Sequence, residues 1–509
     1  VLLDLHAGAL VDALSGATWS PAEVTRLAAR RTAELQGAGL RPGQRVIVPY
    51  SNRREFFVDL LALWRCGACA VPIDPRLTSY EIGNIVAAVQ PTHAVWVDGA
   101  EAALGDALDR AGVPRVDWRA RENPVSGPAH IALDADALIL FTSGTTGTPK
   151  GVVHTHRSLR ARWNVQREVM GIESFERTLC AVPSGFAWGL IGNCLYPWLS
   201  GRTLVTAPAF RNDIALRLGA LCDEFHITYL PLVPALWKMV VKMAPPPRAG
   251  NLRRAASGTA PLHAVLWEQI ANWCGTRDVF NIYGITETGW IAGRTLRDGP
   301  AADGNVGRPW GCQVKILDSG ATDGDAPYAH AEKAAGDVGH VWVQSASLMR
   351  GYFNRDADTR AAIAATWFST SDLGRIDTDG ALTIIGRDKD MISVGGIKVY
   401  PEDIDAVLLR HPEVTDACAF AADDALQGES VATALVLRSG DAGQLASVFA
   451  WAAQHLARHQ LPRRWYVVRE IARSARGKLI RADVARACAA GTPVEQAALE
   501  KQLRAAATA

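Results

Sequence analysis

Residues Phe141 to His154 read FTSGTTGTPKGVVH, and the run Ala137 to Phe141 leading into them is uncharged and apolar. That run reads as a buried strand feeding a Ser/Thr/Gly loop that closes on Pro-Lys-Gly. Gly144, Gly147 and Gly151 reach backbone angles that bulkier residues avoid, so amide N–H groups can converge on phosphate oxygens. Ser143, Thr145 and Thr146 add hydroxyl donors, and Lys150 adds a mobile positive charge. The segment therefore predicts a polyphosphate-binding loop. It is not the P-loop of kinases and GTPases, which needs four residues between its first Gly and a Gly-Lys-Ser/Thr.

A chain of 509 residues exceeds one ordinary core, so two or more domains are expected. With 49% hydrophobic residues, 21% charged residues and a formal net charge of +1, the balance points to neither nucleic acid nor a membrane surface as a partner. The apolar stretch Gly185 to Gly201 is too short and too broken by Gly, Asn and Pro to predict a membrane span. The N-terminal VLLDLHAGALVDAL lacks the basic flank of an export signal, and the expectation is a cytoplasmic protein. Nine scattered cysteines suit a reducing compartment, and the Cys66/Cys69 pair, in a helix-to-strand passage, reads as structural. Twelve histidines form no ligand spacing.

Residues 20 to 90 alternate helical and strand patterns (TRLAARRTAELQGAGL, RVIVPYS, EFFVDLLALWRCG, ACAVPID), which predicts an α/β domain of strands layered beneath helices. The alternation resumes after the phosphate loop. From about Thr383 the character changes, and a compact α+β module with a boundary near Lys389 is expected, giving residues 1–388 and 389–509 as the two domains.

Four further motifs follow the phosphate loop. In NIYGITET, Asn281 to Thr288, Gly284 permits a tight turn after an aromatic and Tyr283 offers a flat face to adenine. Thr286 can donate to an α-phosphate, and Glu287 can ligate Mg²⁺ through oxygen. Ser257-Gly258-Thr259-Ala260 is a small-residue turn that can approach a purine ring closely. Asp372, beside two hydroxyl residues, suits the hydroxyls of a ribose, with Arg387 near the same sugar. Lys478 follows a glycine in Ser474-Ala-Arg-Gly-Lys-Leu479.

The order and spacing of these five motifs resemble the superfamily of acyl-CoA synthetases, peptide-synthetase adenylation domains and firefly-type luciferases, over nearly the whole chain. The resemblance implies ATP contacts at Thr142, Ser143, Gly144, Thr145, Thr146, Gly147 and Lys150, at Asn281, Tyr283 and Gly284, and at Asp372 and Arg387. It also implies an α-phosphate contact at Thr286, Mg²⁺ at Glu287, a catalytic lysine at Lys478, and a hinge at Lys389 about which a small mobile C-terminal domain rotates. Gly395 and Gly396 would then line a narrow thiol channel. The implied chemistry is activation of a carboxylic acid by Mg·ATP to an acyl-adenylate, followed by transfer to a thiol. Coenzyme A is the expected acceptor, with the phosphopantetheine of an acyl carrier protein as the alternative, a non-thiol acceptor behind it, and a homodimer as one quaternary arrangement. Ser371 stands where the family usually has Gly before the ribose-binding Asp.

The acid's pocket is expected around Phe186-Ala187-Trp188-Gly189, around Ser257, Gly258 and Thr259, and from Gly284 and Ile285 to Trp290. No carboxylate stands in the first segment to pair with an α-ammonium, which argues against free amino acids. The segment resembles the Phe-Ala-aromatic-Gly-Leu-Gly-Asn stretch of benzoate-CoA ligases, so an aryl or other apolar acid is expected, with Trp188 and Trp290 as walls.

Overall fold

The computed structural model describes residues 6–49, 52–74, 77–96, 102–118, 130–142, 150–209, 212–318, 330–394, 397–424, 428–474 and 479–507. The N-terminal part is a large α/β domain, and a smaller α+β domain follows it. Two of its sheets are largely parallel, and a third, antiparallel sheet follows them along the chain.

The first sheet has seven strands in the order Gly351–Tyr352, Lys150–Thr155, Asp136–Thr142, Cys69–Ile73, Arg45–Pro49, His93–Trp96 and Arg115–Asp117. Its central strands pair in parallel, and Asp136–Thr142 then turns back antiparallel along Lys150–Thr155, with Thr142 opposite Lys150. The expected strand thus exists, with Leu138 and Ile139 fully buried. Trp64, from the helix Arg54–Arg65, fixes its start by donating Nε1 to the Ala137 carbonyl at 2.8 Å. Buried tryptophans satisfy their single N–H in this way while filling core volume. Beneath the same sheet Arg31 and Asp59 form a buried pair at 2.8 Å, and Arg31 also donates to the carbonyls of Val116 and Asp117. Those extra acceptors offset the cost of taking two charges out of water. Cys66 and Cys69 are buried, and loss of water pushes the Cys66 thiol up to about 12, so the pair packs as small hydrophobes.

The second sheet has eight strands and carries, side by side, Gly289–Arg294, Val279–Ile285, Arg254–Gly258 and Tyr229–Leu232. Trp237 and Trp267 pin it from its flanking helices, donating to Ala256 O at 3.0 Å and Val279 O at 2.8 Å. The parallel strands Arg254–Gly258 and Val279–Ile285 both run towards the site, delivering the Ser257 turn and the NIYGITET segment to neighbouring positions. The third sheet places Trp367–Ile376 against Leu382–Arg387 with Asp372 opposite Arg387.

The smaller domain wraps the strands Val414–Asp424 and Gly428–Leu437 around its own apolar cluster, which includes Ile404, Phe449 and Trp465. Two ion pairs tie it to the larger domain: Lys238 to Asp416 at 2.7 Å and Arg410 to Asp303 at 2.7 Å. Among the described residues no helix is long and apolar enough to cross a membrane.

The segment Pro183 to Asn193, which carries the expected pocket residues Phe186 to Gly189, departs from ordinary structure. Its second half continues as π-helical turns over Trp188–Leu195, with the Asn193 amide donating to the Trp188 carbonyl at 2.7 Å. Such wide turns are uncommon and concentrate at functional sites.

Candidate active site

One cavity of about 530 Å³ opens where these elements meet. At one end stand Thr142 and Lys150, the two residues that flank the phosphate loop. Ser143, Gly144, Thr145, Thr146 and Gly147 lie outside the described residues. Lys150 Nζ donates to Asp358 Oδ1 at 2.8 Å, and its ammonium lies 4.9 Å from the centre of the Tyr352 ring. Gly284, Ile285, Thr286 and Glu287 form a second wall. Tyr352 Oη donates to Glu287 Oε1 at 2.9 Å, which orients that carboxylate.

The ribose candidates form a tight group. Tyr283 Oη donates to Asp372 Oδ2 at 2.6 Å, and Arg387 Nε lies 3.2 Å from Asp372 Oδ1. Burial, reinforced by the Asp372 carboxylate, pushes the Tyr283 phenol well above its usual range. Arg387 and Lys389 line the cavity, whereas Asp372, Tyr283 and Asn281 stand behind the lining. The Asn281 amide donates to the Asn305 carbonyl at 3.2 Å. Burial pushes the Lys389 ammonium down. Ser371, just before Asp372, adopts a left-handed φ of 59°, a conformation that glycine reaches without cost.

At the other end Phe186, Ala187, Trp188, Thr259 and Trp290 line the cavity. Trp188 and Trp290 pack with ring centroids 5.8 Å apart. Gly192 makes room for this pair, since a Cβ there would stand 2.6 Å from the Trp290 ring. Ser257, Gly258 and Gly189 do not line the cavity; Gly258 instead backs the Trp188 ring.

Gly395, Gly396 and Lys478 lie outside the described residues. On either side of the lysine segment Arg473 and Leu479 form an antiparallel bridge, and Ser474 lines the cavity. Arg473 is held by Asp416 at 2.8 Å, the carboxylate that also takes Lys238.

Sequence profiles give the decisive comparison: that of the AMP-binding enzyme family matches residues 6–353, and that of the AMP-binding enzyme C-terminal domain matches residues 403–478. The chain belongs to the AMP-binding enzyme family. It is an AMP-forming acid–thiol ligase that activates a carboxylic acid with ATP. Among its relatives is the 4-coumarate–CoA ligase-like 4 of Oryza sativa subsp. japonica, 28% identical over 94% of this chain and 90% of that protein. The sulfoacetate–CoA ligase of Cupriavidus necator is 32% identical, covering 87% of each. ATP-bound MatB from Rhodopseudomonas palustris superposes with a TM-score of 0.84 at 25% identity, covering 95% of this chain and 96% of that one.

The sequence reading of this AMP-binding enzyme missed, among other lining residues, Arg162, Gln166, Tyr352 and Asp358. Arg162 and Gln166 lie with Ser158 and Met170 on one buried stripe of the helix His156–Met170, but three of the four are polar, so no apolar period marked them in the sequence. Tyr352 and Asp358 carry no local signal either; long-range folding brings them beside the phosphate hairpin.

Proposed function

We propose that this enzyme joins an aryl or other flat, largely apolar carboxylic acid to coenzyme A. Support comes above all from one observation: a single cavity joins Thr142 and Lys150, beside the phosphate loop, to the Trp188 and Trp290 walls. An acid with its body between the tryptophans and its carboxylate near Thr286 would be held in line for attack on the α-phosphate of ATP. Apolar walls reward burial of an aromatic body, and the few polar groups fix its orientation.

In this reading the phosphate-loop residues and Lys150 cradle the β- and γ-phosphates, while Asp372, with Arg387, receives the ribose hydroxyls. Tyr283 holds the Asp372 carboxylate in place through its 2.6 Å hydrogen bond. Glu287 fits a magnesium site: it is a hard carboxylate on the cavity wall, and Mg²⁺ takes most of its other ligands from phosphate and water. Among the described residues no cluster of three or more His, Cys, Asp or Glu side chains offers an all-protein metal cage. Bound there, the ion would neutralise charge on the phosphate oxygens.

Lys478 takes the role of the charged donor between the carboxylate and the α-phosphate. A donor of this kind is worth about 10² to 10³ in rate. After pyrophosphate leaves, rotation about Lys389 would withdraw Lys478 and bring Gly395 and Gly396 to the adenylate, where the CoA thiol attacks. Lys478→Ala should abolish pyrophosphate exchange and leave thiolation of a preformed acyl-adenylate largely intact. Equal loss of both half-reactions would overturn the assignment of that lysine.

A further inference from the structure

The lysine segment reaches the cavity from the smaller domain, and one carboxylate ties its neck to the larger domain. Ser474, next to Arg473, lines the cavity together with Lys389 and Thr286. Arg473 closes the neck through its antiparallel bridge to Leu479, which packs into the apolar cluster of Phe420 and Ile471. Arg473 Nη2 donates to both oxygens of Asp416, at 3.0 and 2.8 Å. Asp416 and Phe420 stand on the same strand, Val414–Asp424, so neck and strand are held together by both polar and apolar contacts.

The larger domain meets that carboxylate with a second cation. Lys238 Nζ donates to Asp416 Oδ1 at 2.7 Å, the oxygen that Arg473 reaches at 3.0 Å. Lys238 belongs to the helix Pro234–Met243, where its neighbour Trp237 is fully buried and fixes the helix through its hydrogen bond to the Ala256 carbonyl. Ala256 in turn lies on Arg254–Gly258, the strand that delivers the Ser257 turn to the site. Asp416 is 19% exposed, and its two cations outweigh burial, so it carries its charge at neutral pH. Hydrogen bonds between ionised partners are about twice as strong as neutral ones. The other interdomain pair, Arg410 with Asp303, does not include the carboxylate that holds the neck.

We infer that Lys238 is a positioning residue for the adenylation half-reaction: through Asp416 it fixes Arg473, and with it the neck of the lysine segment, against the cavity. The inference rests on the adenylation reading above, in which this segment carries Lys478 to the acid and is withdrawn after pyrophosphate leaves. A rotation that withdraws the segment separates Asp416 from Lys238, so the contact favours the first half-reaction and not the second.

The test measures each half-reaction separately on the full-length enzyme: ATP–pyrophosphate exchange driven by benzoate or 3-phenylpropanoate, and transfer of the corresponding preformed adenylates to coenzyme A. Lys238→Met should lower kcat for pyrophosphate exchange by about 3- to 30-fold, within the range for residues coupled in one ion-pair network, and leave the KM for ATP unchanged. Transfer from the adenylates should keep or exceed its rate. Lys238→Arg, which keeps the charge, should recover most of the lost exchange. In an Asp416→Asn background Lys238→Met should lower the rate no further, because the path runs through that carboxylate. Amide hydrogen exchange at the Arg473–Leu479 bridge should quicken in Lys238→Met, which reads the docking of the neck without turnover. An equal fall in both half-reactions, pyrophosphate exchange that Lys238→Met does not slow, or additive losses in the Asp416→Asn background overturns the inference. If the unaltered enzyme shows no pyrophosphate exchange with either acid, the adenylation of such acids fails, and the amide measurement alone decides whether Lys238 holds the neck: an unchanged rate there overturns it.

Discussion

Lys150 Nζ donates to Asp358 Oδ1 at 2.8 Å across the mouth of the phosphate end of the cavity. The lysine that should meet ATP is thus engaged by a carboxylate, and the two compete for one charge. The two side chains are 26% and 37% exposed, where such contacts are worth about 0.2 to 1 kcal/mol. Asp358→Asn should therefore lower the KM for ATP by about 1.5- to 5-fold, as read by steady-state kinetics. A raised KM would show that Asp358 positions Lys150 instead of restraining it.

Ser371 holds a left-handed backbone beside the ribose-binding Asp372, with φ of 59°. A side chain in that conformation costs about 1 to 2 kcal/mol, part of which glycine gives back as chain entropy. Ser371→Gly should raise the midpoint of thermal unfolding, with a gain of up to about 1 kcal/mol. A fall in the midpoint would mean the serine side chain contributes more than its backbone strain costs.

His154 and His156 lie buried with both ring nitrogens of each lacking a partner. Burial pushes His156 down to about 4 from its usual 6.5, and pushes His154 down too, with Arg162 adding to the effect. A group whose folded value is depressed in this way binds its proton first in the unfolded chain. Stability is therefore unaffected above about pH 6.5 and falls between about pH 6.5 and 4, by about 3 kcal/mol for His156 alone. His156→Leu should flatten that limb in denaturant titrations at a series of pH values. An unchanged limb would place the loss elsewhere.

Two carboxylates hold the smaller domain in its present position. Asp416 receives both Lys238 at 2.7 Å and Arg473 at 2.8 Å, and Asp303 receives Arg410 at 2.7 Å. Burial pulls both carboxyls up, and their cationic partners outweigh it, so both end below the usual carboxylate range. Their contribution is present above the unfolded value, near pH 4, and is lost as the pH falls further. The double change Asp303→Asn with Asp416→Asn should increase the radius of gyration in small-angle scattering at neutral pH. An identical curve would show that apolar contacts alone set the arrangement.

The fold was legible where residues report on their own neighbourhood. The apolar run before the phosphate loop, the helix-and-strand alternation of residues 20 to 90 and the change of character after Thr383 each follow from local period and turn chemistry. The aromatic walls were legible through the resemblance of the segment around Trp188 to benzoate-CoA ligases and of the segment ending at Trp290 to the family's acid pocket. What escaped depends on contacts distant in sequence. The π-helical turns of Trp188–Leu195 coincide with Gly192 yielding to Trp290, nearly one hundred residues on. Arg162 lies in HRSLRARW, where Arg157 and Arg160 make the helix look like an ordinary charged surface. Its burial with Ser158, Gln166 and Met170 along one stripe is set by packing that the helix sequence alone does not announce.

The most direct measurement is acid-dependent pyrophosphate release by the purified enzyme with Mg·ATP, over aryl, short-chain and long-chain acids, with and without coenzyme A. The account predicts release that depends on the acid, is greatest with flat aromatic acids and yields an acyl-CoA when the thiol is present. Adenylate that forms and then stalls with coenzyme A would transfer the second half-reaction to a carrier-protein thiol, and no acid-dependent release across the whole panel would contradict the central claim.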